Sequence, residues 1–127
     1  MTKKLELYKC SICGNLIEVV LEGEGELVCC GEIMEQLTSD NHSGSSEAHK
    51  PIIESFEDKK TVRIGQTPHP MTKEHHIEFI EVISPDEKYV KRKYLNPEEE
   101  AILEFECTCK NGFSSREVCN LHGLWEN

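Results

Sequence analysis

The stretch Cys119-Asn120-Leu121-His122-Gly123 puts a thiolate donor and an imidazole donor three residues apart. Sulfur and imidazole nitrogen are ligands for transition metals. Three further separated histidines could complete a metal site with this pair: His49, with Glu47 two residues before it, and His69 and His75 in the run His69-Pro70-Met71-Thr72-Lys73-Glu74-His75. Near the other end, Cys10, Cys13, Cys29 and Cys30 form a second group of donors.

The cysteine group has its own chemistry. Cys10-Ser11-Ile12-Cys13 can close two thiolates on one ion, and Cys29-Cys30 supplies two more. Four thiolates favour tetrahedral zinc or iron, and their spacing does not separate the two metals. Adjacent cysteines have to splay to reach one ion, so a distorted tetrahedron is expected. Two other readings of these residues are a zinc knuckle that only staples a small domain and a vicinal disulfide; the second is disfavoured by strain.

Those donors need elements to hold them. Residues 1–37 are too few to bury much core, and a segment of that size usually needs a metal, disulfides or a partner chain. Two short strands are expected at 16–21 and 26–28, joined as a hairpin through Glu22-Gly23-Glu24-Gly25. Residues 38–48 are small and polar, a composition of loops and linkers, which sets the boundary between a domain at 1–37 and a second at 38–127. In the second, strand-like runs at 51–56, 61–64, 77–83, 89–94, 101–107 and 114–118 suggest an antiparallel sandwich, so the chain is expected to be all-β. Ile80 breaks the alternation of 77–83, as a bulge or burial on both faces would require. Asn96-Pro97-Glu98-Glu99-Glu100 reads as a short capped helical turn.

Charge and cysteine usage narrow the function. A formal net charge of −10 repels anions and argues against nucleic-acid binding, which depends on neutralising phosphates. No window approaches a membrane span and no apolar stretch of signal-peptide length is present, so a cytoplasmic protein with no membrane partner is expected. In a reducing compartment seven cysteines, an odd number, read as ligands and free thiols rather than as bridges.

In the order and spacing of Cys10, Cys13, Cys29, Cys30, His49, His69, His75, Cys119 and His122, over nearly its whole length, the chain resembles the desulfoferrodoxins, two-iron superoxide reductases. The vicinal pair Cys29-Cys30 resembles desulforedoxin in particular. The resemblance implies a desulforedoxin-like, rubredoxin-type domain followed by an immunoglobulin-like seven-stranded β-sandwich. It also implies two iron ions per chain. The first is held by Cys10, Cys13, Cys29 and Cys30 and relays electrons. The second is held by four equatorial imidazoles, from His49, His69, His75 and His122, and by the axial Cys119 thiolate.

Five protein ligands leave one position for substrate, as in a reactive rather than a closed site. The implied activity is one-electron reduction of superoxide to hydrogen peroxide at a non-haem ferrous site, without release of O₂. Glu47 resembles the family glutamate that occupies the open position in the ferric state. A rubredoxin-like electron donor and a homodimer are implied as partners. The competing reading is a non-catalytic iron electron-transfer protein, which needs no open position.

One residue departs from the family pattern. The usual Glu-Lys-His reads Glu47-Ala48-His49 here, so the cation that guides superoxide is absent at position 48, and Lys50 is one residue out of place. His76 and His42 are expected to be surface or packing residues. Cys107 and Cys109 are expected to be free thiols. Trp125 is expected to cover the sulfur side, to anchor the terminus or to pack in the core, and Pro68 and Pro70 to restrain the backbone around His69.

Overall fold

The computed structural model describes residues 1–39, 49–65, 69–106 and 112–127. They form two compact units, Met1–Thr38 and Ser39–Asn127. Every element among the described residues is a β-strand, as expected. No helix among them is long and apolar enough to cross a membrane. Glu47, Ala48, His42, Pro68, Cys107 and Cys109 lie outside the described residues.

The first unit contains β1 (Leu7–Lys9), β2 (Leu16–Glu18), β3 (Val28–Cys29), β4 (Glu32–Ile33) and β5 (Glu35–Leu37). Its larger sheet has the order β2-β1-β5, and β3 and β4 form a separate two-stranded ribbon. The expected hairpin between 16–21 and 26–28 does not form. β2 pairs with β1, and β3 pairs with β4. Glycines 23 and 25 suggested a turn, but both amide and carbonyl of Gly23 are taken by Thr2, which ties this segment to the N-terminal residues instead. The buried apolar set is small, Leu7, Cys10, Val19 and Met34. So little core agrees with a unit that depends on something else for stability.

In the second unit, β6 (Pro51–Phe56), β7 (Lys59–Ile64) and β10 (Ile102–Glu106) form one antiparallel sheet in the order β10-β7-β6. β8 (Ile77–Ile83), β9 (Val90–Tyr94), β11 (Ser114–Cys119) and β12 (Gly123–Glu126) form the other, in the order β12-β11-β8-β9. Val62 and Ile64 of β7 and Leu103 and Phe105 of β10 meet Ile77, Ile80 and Val82 of β8 in the core between the sheets, together with Leu95 and Cys119. This is the expected sandwich, with one strand, β12, that the residue pattern did not reveal.

Both explanations offered for the broken alternation of β8 apply. Phe79 lies opposite Val118 but Ile77 lies opposite Cys119, so Glu78 is an extra residue in β8 and the register shifts there. That shift lets Ile77 and Ile80 both face the core. The outer face of β8 is also covered. Glu81 is fully buried there, 3.2 Å from both the Arg92 and the Arg116 guanidinium groups. The segment around Pro97 is a turn rather than a helix, with Glu98 at φ 72°. Its capping bond is present all the same: the Asn96 amide donates to the Glu99 carboxylate at 2.9 Å.

Candidate metal centres

The vicinal cysteines are splayed by the backbone. Cys29 ends β3 opposite Glu32, so Cys30 and Gly31 are the two loop residues of a hairpin, and both have positive φ, 53° and 77°. Two left-handed residues in a two-residue loop define the type I′ turn, which matches the twist of the strands it joins. A left-handed conformation costs a non-glycine residue about 1–2 kcal/mol, and here it accompanies sulfurs of adjacent residues 4.0 Å apart.

The other knuckle is closed by the Gly14 amide bonding to the Cys10 carbonyl at 3.1 Å. Within it, the amides of Ile12 and Cys13 point at Cys10 Sγ from 3.4 and 3.5 Å. The four sulfurs all lie within 4.8 Å of one another, with Cys13 Sγ and Cys29 Sγ 3.5 Å apart.

The electrostatics of this cluster are those of a cation site. The amides of Cys13 and Ile12 pull the Cys10 thiol down to about 6. The crowded sulfurs of Cys13, Cys29 and Cys10 push Cys30 up to about 12, and Cys29 is raised for the same reason. Four thiolates at this spacing repel each other unless a positive ion sits among them, and a bound metal deprotonates thiols outright.

The second group assembles from three parts of the second unit. Cys119 ends β11 and pairs with Gly123 at the start of β12, leaving Asn120, Leu121 and His122 as a three-residue hairpin loop. Gly123 has φ 82°, the left-handed residue that such loops use to re-enter the strand. This turn is why a thiol and an imidazole three residues apart point at one place. His49 stands two residues before β6. His69 and His75 lie between β7 and β8, where the Thr72 hydroxyl accepts the His75 amide at 3.0 Å and the backbone amide of Thr72 donates to the His75 carbonyl at 2.9 Å.

Asn120 then joins two of these parts. Its side-chain oxygen accepts the His76 amide at 2.9 Å and its side-chain nitrogen donates to the Glu74 carbonyl at 3.0 Å. The loop carrying His75 is thereby tied to the turn carrying Cys119 and His122.

The five donor atoms of His49, His69, His75, Cys119 and His122 lie within 4.8 Å of one another. His49 Nε2 is 2.7 Å from His122 Nδ1, and Cys119 Sγ is 3.5 Å from His69 Nε2 and 4.0 Å from His122 Nδ1. His75 Nε2 is buried with no hydrogen-bond partner among the described residues. A buried polar atom without a partner is costly, and here it belongs to a cluster of imidazoles with little to offer one another but lone pairs. The donor set therefore fits a metal cation. Burial lowers the pKa of His69 and of His75, which keeps both rings neutral and their lone pairs free. Burial raises the Cys119 thiol, against the pull of the Leu121 and His122 backbone amides.

Behind this cluster stand Pro70 and Trp125, both singled out in the sequence, and Glu117, which was not. The His69 ring donates from Nδ1 to the Pro70 carbonyl at 2.6 Å, so Pro70 contributes its carbonyl as well as its stiffness. Trp125 is buried and covers an imidazole: it stacks on His49, with ring centroids 5.0 Å apart and planes 10° from parallel. Glu117 is fully buried, with Oε2 3.6 Å from His49 Nδ1. Burial pushes its carboxyl up to about 9. The signal for Glu117 was its parity with Cys119, since residues two apart in a strand share a face. His76 stands outside the donor group, beside Glu78 at 3.5 Å.

Comparison with known proteins follows the same division of the chain. The desulfoferrodoxin N-terminal domain matches residues 2–37 and the desulfoferrodoxin domain matches residues 41–127. A desulfoferrodoxin homolog of Archaeoglobus fulgidus is 42% identical, covering 100% of this chain and 99% of its own. A superoxide reductase of Pyrococcus horikoshii is 32% identical over 64% of this chain and 84% of its own. Among solved structures, the superoxide reductase from Treponema pallidum has the same fold, with a TM-score of 0.75 at 22% identity, covering 100% of this chain and 99% of that one.

Proposed function

The chain belongs to the desulfoferrodoxin family, and from that premise we propose that it is a superoxide reductase that turns superoxide, one electron and two protons into hydrogen peroxide without releasing O₂. The observation that carries this reading is the convergence of Cys119 Sγ and four imidazole nitrogens within 4.8 Å. An iron ion held by His49, His69, His75, His122 and Cys119 would supply the one-electron couple. Five protein donors leave a six-coordinate ion one position for a small substrate.

The residues divide the remaining work. Neutral imidazoles hold a cation without cancelling its charge, so the site stays attractive to an anion despite the net charge of the chain. The Cys119 thiolate is the electron-rich ligand, and the amides of Leu121 and His122 directed at it are the kind of contact that tunes a metal's potential. Glu47, two residues before His49, is the carboxylate assigned to cap the site once product has left.

Cys10, Cys13, Cys29 and Cys30 would hold a second iron, the entry point for electrons from a rubredoxin-like donor. The described cysteines are free thiols, which suits a cytoplasmic setting. The first unit also exposes Val20, Leu21 and the cross-strand pair Val28 and Ile33, apolar side chains that pairing with a second copy of the chain would cover.

The test is rapid anaerobic mixing of fully reduced, iron-loaded protein with superoxide. Peroxide formed in proportion to superoxide consumed, with no O₂ beyond spontaneous dismutation, is the expected result. No reaction at full iron loading would instead make the protein an electron carrier.

A further inference from the structure

We propose that Glu117 is a positioning residue that accepts the Nδ1–H of His49 and so holds the His49 Nε2 lone pair on the metal centre. The inference rests on the reading of His49 as a ligand and deepens it.

The two nitrogens of His49 face in different directions. Nε2 lies among the donors, 2.7 Å from His122 Nδ1, and Nδ1 faces Glu117 Oε2 at 3.6 Å. That separation is about half an ångström beyond a hydrogen bond, a gap that a small rotation of either side chain closes. A metal-ligating histidine almost always donates its second ring nitrogen to a carboxyl or carbonyl group, which fixes tautomer and ring orientation. His69 already shows the arrangement, with Nδ1 on the Pro70 carbonyl.

Glu117 has no structural reason to be where it is. Two acids of this sheet are fully buried, Glu81 and Glu117. Glu81 faces outward and is satisfied by Arg92 and Arg116. Glu117 faces the core, in register with Ile80 on one side and Trp125 on the other. Neither of its oxygens has a hydrogen-bond partner among the described residues. Burying a carboxyl group in this way costs free energy in any protonation state. Its carbonyl oxygen can accept from an imidazole N–H even when the group is protonated. The polar side chain brought to it is that of His49, which Trp125 stacks against from the same face of the sheet.

This predicts effects of opposite sign on metal binding and on the fold. In the full-length chain carrying Cys13→Ser, so that one iron site remains, Fe²⁺ affinity is measured anaerobically by chelator competition for the parent, Glu117→Leu, Glu117→Gln and His49→Ala. The melting temperature of each is recorded without metal. Glu117→Leu should bind Fe²⁺ about 10–100-fold more weakly and melt, metal-free, at the same or a higher temperature. Glu117→Gln keeps an oxygen acceptor and should restore most of the affinity.

Unchanged affinity in Glu117→Leu, or a loss of affinity matched by a lower metal-free melting temperature, overturns the proposal. His49→Ala separates the two readings. If it weakens Fe²⁺ binding while Glu117→Leu does not, only the positioning role falls. If it too leaves binding unchanged, the ligand assignment falls with it.

Discussion

Trp125 lies flat against the imidazole of His49, ring centroids 5.0 Å apart and planes 10° from parallel. A ring held on its face by an indole keeps its plane while its edge nitrogen stays directed at the donor cluster. Trp125→Phe preserves a flat face and should leave iron retention close to that of the parent. Trp125→Leu removes it, and should both speed iron loss from the second unit and destabilise that unit by about 1–3 kcal/mol. Iron release to a chelator, with thermal unfolding alongside, checks this; equal release from the parent and the Leu variant would leave Trp125 as core filling alone.

Asn120 links the two loops of the site through its side-chain bonds to His76 and Glu74. Each such bond contributes about 0.5–1.5 kcal/mol net. Asn120→Ala should therefore lower stability by about 1–3 kcal/mol and let His75 drift from the other donors. Denaturant unfolding and iron content after dialysis are the measurements. A stability loss with full iron retention would show that the remaining four donors suffice to place the ion.

The two compact units should fail separately. Cys13→Ser removes one of four clustered thiols and is expected to release iron from the first unit, while iron content of the second unit and the single-turnover reaction of pre-reduced protein with superoxide stay unchanged. Steady-state turnover with a rubredoxin donor then tests the electron route: turnover should be lost, and full turnover would mean that the donor reaches the second iron directly.

Position 48 is Ala, where the resemblance implies a lysine. With a net charge of −10 the chain repels superoxide at long range, and Ala48→Lys should raise the second-order rate of superoxide capture. The gain should shrink with added salt, because the Debye length falls from about 30 Å at 0.01 M to about 10 Å at 0.1 M. Stopped-flow rates at several ionic strengths decide it, and a flat comparison would remove any steering role from this position.

What could be read from the chain alone was set by donor chemistry and by strand period. Thiols and imidazoles at Cys10, Cys13, Cys29, Cys30, His49, His69, His75, Cys119 and His122 declare themselves, because few other uses need those residue types in that order. Runs such as 51–56 and 77–83 declare strands, because β-branched and aromatic residues suit a pleated, half-buried surface. Pairing was another matter. β2 joins the strand before it, β1, rather than the run after it, and the Gly23 and Gly25 pattern pointed to a hairpin that Thr2, far off in sequence, pre-empts.

Short strands such as β12 (Gly123–Glu126) carry no period of their own and exist because β11 supplies the ladder. What the supporting residues touch was invisible for a related reason. Glu117, Asn120, Trp125 and the Pro70 carbonyl act through neighbours up to 76 residues away, His49 and Trp125 being the extreme. A donor is recognised by what it is, whereas a residue that orients a donor is recognised only by where the fold puts it.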